Sequence, residues 1–279
     1  MSAALRTALG VHQHAVSARL VRFTAEDLAG RLAGRDATIW STEPAHIAVA
    51  RNRLGWIESP GSMRARVSEF EAFANAVASE GFTHALLLGM GGSSLAPEVL
   101  RQVFGVAAGR LEVAVLDNTS PTAVAAAFAA HDPRRTLVLV ASKSGGTLEV
   151  ASFEKRAFEW MQAARGDQAG RAFVAITDPG TSLGQLAATR GYRHTFENPA
   201  DIGGRYSALS CFGIVPAALL GVPLAALLDS AIAELDVAKL ERDAARNAPL
   251  ALGAALGELA LVGRDKVTLV LGGGFDPHA

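Results

Sequence analysis

The chain has 279 residues, 50% of them hydrophobic and 19% charged, with a formal net charge of -1. This is the composition of a core-forming globular protein and excludes a disordered or fibrous one; the balanced charge argues against nucleic acid as a partner, because nucleic-acid binders carry a basic excess. The single cysteine, Cys211, excludes an internal disulfide and a cysteine-based zinc site, in keeping with a reducing, cytoplasmic setting. The first residues show no basic stretch followed by an apolar run, so no secretory signal is expected.

Residues 1–81 read as a helical segment. The clearest helix covers 63–79, where Met63, Val67, Phe70, Phe73, Ala74 and Val77 recur at three- and four-residue spacing and Gly81 provides a stop. Trp40 and Leu54-Gly55-Trp56 are expected to be packing anchors on a short helical hairpin.

From residue 82 the pattern changes. Continuous apolar runs at 85–88, 113–116, 136–141 and 172–176 each end in a turn-forming cluster and lead into a helical stretch, and a fifth strand is expected near 193–196. Unbroken apolar strands alternating with helices predict an α/β fold with a doubly wound parallel five-stranded sheet, buried on both faces, over 82–200. Ser120-Pro121 marks one helix start and the 178–182 segment another. Residues 201–262 read as a helical connection. Ala208 to Leu228 carries no charge and is long enough to cross a bilayer. Pro216, Pro223, Gly213 and Gly221 divide it, so two buried helices and no membrane contact are expected. Residues 266–271 are expected to form a further strand inside a last segment, 263–279, which ends in a glycine-rich tail.

In open parallel sheets ligands bind beyond the carboxyl ends of the strands, which directs attention to the loops there. The first, Gly-Met-Gly-Gly-Ser-Ser (89–94), precedes a helix expected to start near Leu95. Its glycines allow close backbone approach to an anion, and Ser93 and Ser94 add hydroxyls. The same loop fits a dinucleotide fingerprint, with Asp117 as ribose ligand. The second loop, Ser142-Lys143-Ser144-Gly145-Gly146-Thr147, offers three hydroxyls and an ammonium ahead of a helix, the composition of a phosphate cradle. It is not a Walker loop, because its lysine precedes the glycines. The third, Asp201 to Ser207, holds two glycines and then Arg205, which could clamp an anion or stabilise a developing negative oxygen. His12 and His14 resemble half a metal site but lack a carboxylate partner. His84 and His194 flank strands, and Cys211 lies in an apolar run; all three read as structural, and no metal is expected.

Taken together, the segments 89–98 (Gly-Met-Gly-Gly-Ser-Ser-Leu-Ala-Pro-Glu), 142–149 (Ser-Lys-Ser-Gly-Gly-Thr-Leu-Glu) and 203–210 (Gly-Gly-Arg-Tyr-Ser-Ala-Leu-Ser) resemble the glucose-6-phosphate isomerase family, nearest to the isomerase part of bifunctional transaldolase/glucose-6-phosphate isomerases. The similarity extends over about 35–271. It implies that 82–200 is a first sugar-isomerase (SIS) domain, a three-layer αβα unit. It implies that Ser142, Lys143, Ser144 and Thr147 hold a sugar phosphate, that Gly92 and Ser93 lie near the sugar, and that Arg205 stabilises a cis-enediolate in the interconversion of glucose 6-phosphate and fructose 6-phosphate. No cofactor is implied.

The family draws its catalytic base from a second SIS domain, and 263–279 reads as the incomplete start of one. The chain thus holds the cradle and Arg205 without an identifiable base, and its own turnover is an open question. The alternative is a non-catalytic phosphosugar-binding module, a sensor or regulator; a nucleotide-dependent oxidoreductase is a lesser rival. Homo-oligomerisation is left open.

Overall fold

The computed structural model describes residues 8–270. Among the described residues five α-helices precede the sheet: α1 (Gln13–Ala25), α2 (Leu28–Ala33), α3 (Pro44–Arg51), α4 (Ser59–Arg64) and α5 (Val67–Ser79). The helix expected over 63–79 is therefore two, with a break at Ala65 and Arg66. The break costs no burial, since Met63, Phe70, Ala74 and Val77 all reach the core. Arg66 fills the corner: its guanidinium pairs with Glu69 at 2.8 Å and lies 4.9 Å over the Phe70 ring.

The alternating unit follows as β1 (His84–Gly89), α6 (Gly92–Phe104), β2 (Glu112–Leu116), α7 (Pro121–Ala129), β3 (Thr136–Ala141), α8 (Leu148–Arg165), β4 (Phe173–Thr177), α9 (Ser182–Thr189) and β5 (His194–Glu197). Among the described residues these strands form one five-stranded, all-parallel sheet in the order β2-β1-β3-β4-β5. The predicted α/β doubly wound architecture is observed. Strands β3 and β4 are buried along their whole length, as expected of a sheet covered on both faces. The order matters for function. The chain leaves β1 for β2 on one side, then crosses back to β3 on the other. Loops after β1 and β3 therefore diverge, and a crevice opens between them at the carboxyl edge.

The long apolar stretch becomes α10 (Cys211–Leu220) and the start of α11 (Leu224–Leu240); α12 (Ala248–Leu261) follows. Every residue of α10 is buried, and Phe212, Ile214, Val215 and Leu219 belong to the main core. Gly221 ends α10 with φ +82°, in the left-handed region that glycine adopts at low cost. No helix of the described residues is long and apolar enough to cross a membrane.

Residues 266–270 depart from expectation. They have the strand-like sequence Lys-Val-Thr-Leu-Val but no regular secondary structure, and Val270 is 89% exposed. A strand persists only where a neighbour takes its backbone hydrogen bonds, and none of the described strands does so here. Leu271 and the glycine-rich tail lie outside the described residues.

Helix α8, which follows the predicted cradle, is pinned by a buried carboxylate. Glu154, 3% exposed, accepts from Arg190 Nη1 at 2.5 Å and from the Tyr192 hydroxyl at 2.5 Å. Burial, together with the Glu154 charge, pushes the Tyr192 phenol well above its ordinary range. Arg190→Met would leave that carboxylate buried and half-paired. We expect it to lower stability by about 2–3 kcal/mol, read as a shift of the urea midpoint with an unchanged slope, whereas Glu154→Gln should cost less.

Candidate functional site

The first glycine loop turns sharply at Gly91, φ +55°. Helix α6 begins at Gly92, earlier than the expected start near Leu95, because the Gly91 carbonyl already accepts from the N–H groups of Ser94 and Leu95, both at 3.0 Å. Ser94 is fully buried and donates its hydroxyl to the same carbonyl at 3.0 Å, so it is a turn-former; Ser93 stays partly accessible. Gly92 has no room for a side chain, since a Cβ there would overlap the carbonyl oxygen of Gly204. Ser207 completes the join, its hydroxyl lying 3.2 Å from the Gly92 carbonyl and 2.7 Å from that of Gly204. The first and third loops, distant in sequence, are thereby one structure.

Arg205 does not open a long helix. It sits in a single 3-10 turn, Gly204–Tyr206, exposed and without a hydrogen-bond or ion-pair partner among the described residues. That turn is held from below. Gly55 N–H donates to the Asp201 carbonyl at 2.9 Å, Leu54 and Ile202 form an antiparallel bridge, and Trp56 stacks on Tyr206 with ring centroids 5.8 Å apart. Arg35 pairs with the Asp201 carboxylate, and that hydrogen bond pushes its guanidinium above the ordinary range. Arg205 lines two cavities on either side: one of about 510 Å³ with Trp56, Pro60 and Leu250, the other of about 340 Å³ with Gly92, Leu95 and Val99.

The second loop leaves β3 beside the first, as Gly89 and Ala141 are register partners. Ser142, 3% exposed, sets its hydroxyl 3.2 Å from that of Thr147, and Gly146 N–H donates to the Ser144 hydroxyl at 3.3 Å. Gly145, φ +70°, approaches α9 so closely that a Cβ would stand 2.8 Å from the Leu183 nitrogen. Thr147 occupies the N-cap position of the 18-residue helix α8, yet its hydroxyl does not cap it. The first-turn N–H groups and the positive end of the helix dipole thus remain available to an anion, beside three hydroxyls.

Lys143 is placed differently from the other cradle residues. Its ammonium pairs with Asp178 and donates to the Ala200 carbonyl at 2.8 Å. Asp178 was legible only as part of a helix start, a role that Thr181 fills by accepting from Gly184 N–H at 3.3 Å. Asp178, Asn198 and Trp56 escaped sequence reasoning as neighbours of the candidate site, and Asp201 was read only as the start of the third loop. Their partners lie on other loops, and only the lone lysine in the second loop hinted that a carboxylate would be needed.

The remaining candidates lie elsewhere. Asp117 lines a groove at the outer edge of β2 with Glu98 and Glu112, away from β3. His84 contacts Glu112 at 3.5 Å, and His194 packs between Phe73 and Phe196. Cys211 is wholly buried 3.4 Å from Arg66, and burial raises its thiol pKa. Among the described residues no group of three or more His, Cys, Asp or Glu could hold a metal ion.

The join between the first and third loops predicts the effect of Gly92→Ala. The added methyl must displace the Gly204 carbonyl, so the variant should lose about 1–3 kcal/mol of stability in thermal denaturation. Gly146→Ala, with nothing within 4 Å of its Cβ, is the control and should change little.

Comparison with known proteins agrees with the parallel α/β fold. The phosphoglucose isomerase family model matches residues 62–263, well over half of the chain. A glucose-6-phosphate isomerase of Synechococcus sp. is 35% identical over 69% of this chain and 36% of its own length. One from Thermosynechococcus vestitus is 40% identical over 53% of this chain and 28% of its own. Among solved structures, a hypothetical protein of Thermus thermophilus superposes with a TM-score of 0.71 at 29% identity, covering 88% of this chain and 54% of that one. A glucose-6-phosphate isomerase of Chlamydia trachomatis superposes with a TM-score of 0.60 at 29% identity, over 84% of this chain and 42% of its own. The chain spans about a third of the length of the curated relatives it matches. On the family match, and with the parallel sheet and its three loops as described, the chain belongs to the phosphoglucose isomerase family.

Proposed function

We propose that this chain is the phosphate-binding and charge-stabilising portion of a glucose-6-phosphate isomerase, acting in the cytoplasm on glucose 6-phosphate and fructose 6-phosphate. The reading divides the chain into a helical segment (1–81), a first SIS domain (82–200), a helical connection (201–262) and the start of a second SIS domain (263–279). One observation carries it. An exposed arginine, unpaired among the described residues, is stitched to the first glycine loop, and the adjacent strand leads through a hydroxyl-bearing loop to a helix N-terminus without a side-chain cap.

The chemistry follows from that pairing. Ser142, Ser144, Thr147 and the first-turn amides of α8 receive the phosphate, with Lys143 raising the local positive potential. Gly92 and Ser93 face the sugar. A base takes the proton beside the carbonyl, the electron pair moves onto oxygen as a cis-enediolate, and the proton returns to the neighbouring carbon. The costly species is the enediolate anion, and a guanidinium fixed before the reaction begins lowers its energy without reorganisation. Arg205 suits that role because no carboxylate among the described residues neutralises it and the turn beneath it is tied to Gly92, Leu54 and Trp56. In this reading the base lies in the part of the relatives that this chain does not span.

Two outcomes are expected. Thr147→Ala removes the partner of the buried Ser142 hydroxyl but no helix cap, so stability should fall by about 1 kcal/mol in thermal denaturation, while fructose 6-phosphate affinity falls about tenfold in calorimetric titration. Proton NMR of fructose 6-phosphate with this chain in heavy water tests the division of labour. Line broadening reversed by inorganic phosphate, without conversion, is the expected result. Glucose 6-phosphate deuterated at C2 would mean that the chain carries its own base. The absence of both broadening and conversion would sink the phosphosugar assignment.

A further inference from the structure

Lys143 stands in the middle of the cradle sequence, but its ammonium is directed to a neighbouring loop. Three loops converge on it. The loop after β3 contributes Lys143 itself, the loop after β4 contributes Asp178, and the segment after β5 contributes Asn198 and the Ala200 carbonyl. The pair is well shielded, with 23% of the Lys143 side chain and 12% of that of Asp178 exposed. The two oxygens of Asp178 are divided: Oδ2 takes the ammonium, and Oδ1 accepts from Asn198 Nδ2 at 3.4 Å. The backbone repeats the tie, since Asp178 N–H donates to the Lys143 carbonyl at 3.2 Å and Asn198 N–H to the Thr177 carbonyl at 2.8 Å.

The residues beyond Ala200 are those that carry the arginine. Ile202 N–H donates to the Pro199 carbonyl at 3.3 Å, Asp201 anchors on Gly55 and Arg35, and Arg205 follows within one turn. Fixing the Ala200 carbonyl therefore fixes the approach to the Arg205 turn at its upstream end, as Ser207 fixes it downstream.

We infer that Asp178 is a positioning residue, which holds the Lys143 ammonium on the Ala200 carbonyl and so couples the anion cradle to the loop that presents Arg205. The inference rests on the phosphosugar reading of the cradle. Asp178 also partly cancels the Lys143 charge there, so the enzyme holds geometry at the expense of anion affinity. That trade distinguishes positioning from simple scaffolding: removing the carboxylate charge loosens the Arg205 loop and tightens anion binding at once.

The test uses Asp178→Asn and Lys143→Met in the full chain. Hydrogen exchange follows the amides of 200–206, with those of β1 and β3 as the internal control for folding. Titration with inorganic phosphate and fructose 6-phosphate follows the cradle. Both variants should exchange about tenfold faster over 200–206 with β1 and β3 unchanged. Asp178→Asn should bind inorganic phosphate about fivefold more tightly, and Lys143→Met should not. Wild-type exchange over 200–206 in both variants would overturn the inference, as would weaker phosphate binding by Asp178→Asn. If the wild-type chain binds neither probe, the phosphosugar reading fails, and the exchange data still decide whether the tie exists.

Discussion

Gly89 of β1 and Ala141 of β3 are paired across a parallel ladder, and the site is arranged around that pair. Because β2 and β3 flank β1 on opposite sides, the two connections leave the sheet toward different faces and cannot fill the space between them. The proposed phosphate site would use such a gap, with backbone donors on its walls and no side chain in the way. The sheet supplies the gap; the loops supply the donors. Glycine at 92 and 145 lets neighbouring backbones come within van der Waals reach, where any Cβ would push them apart.

Around that gap the polar interactions have a consistent division. Two groups proposed to meet an anion are not spent on the fold's main supports: the Thr147 hydroxyl meets that of Ser142 rather than capping α8, and Arg205 has no partner among the described residues. Groups that hold position are paired and shielded, as with Lys143 and Asp178, Arg35 and Asp201, and Glu154 with Arg190 and Tyr192. In the role proposed for Arg205, a guanidinium without an ion-pair partner would keep its full charge for a developing oxyanion, whereas a paired one would have to break an ion pair first. The N-terminal helices take part in this division, since Leu54, Gly55 and Trp56 support the Arg205 turn directly.

The parallel sheet was legible because its strands are unbroken apolar runs with turn clusters at each end, a pattern that depends only on burial of both faces. The composition of the second loop was legible for a similar reason: three hydroxyls, a lysine and two glycines fall within six consecutive residues, although the direction the lysine takes was not. Three further details were not. The break at Ala65 and Arg66 leaves the apolar spacing of 63–79 intact, so periodicity carries no trace of it. The start of α6 at Gly92 is set by the Gly91 carbonyl, in a turn whose φ glycine permits but does not dictate. The strand-like residues 266–270 show the limit of local propensity, because a strand is a relation between two segments and no described strand pairs with this one.

By itself the sequence determined which segments are apolar enough to be buried, where the chain must turn, and which loops concentrate glycines, hydroxyls and basic residues. These are properties of contiguous residues, governed by side-chain transfer energies and backbone sterics. Tertiary structure alone decided that Gly92 abuts Gly204, that Lys143 turns from the cradle to Asp178, and that Trp56 props the turn bearing Arg205. Each of those contacts joins residues far apart in the chain. The energy of such a contact exists only once the sheet has brought its loops to one edge.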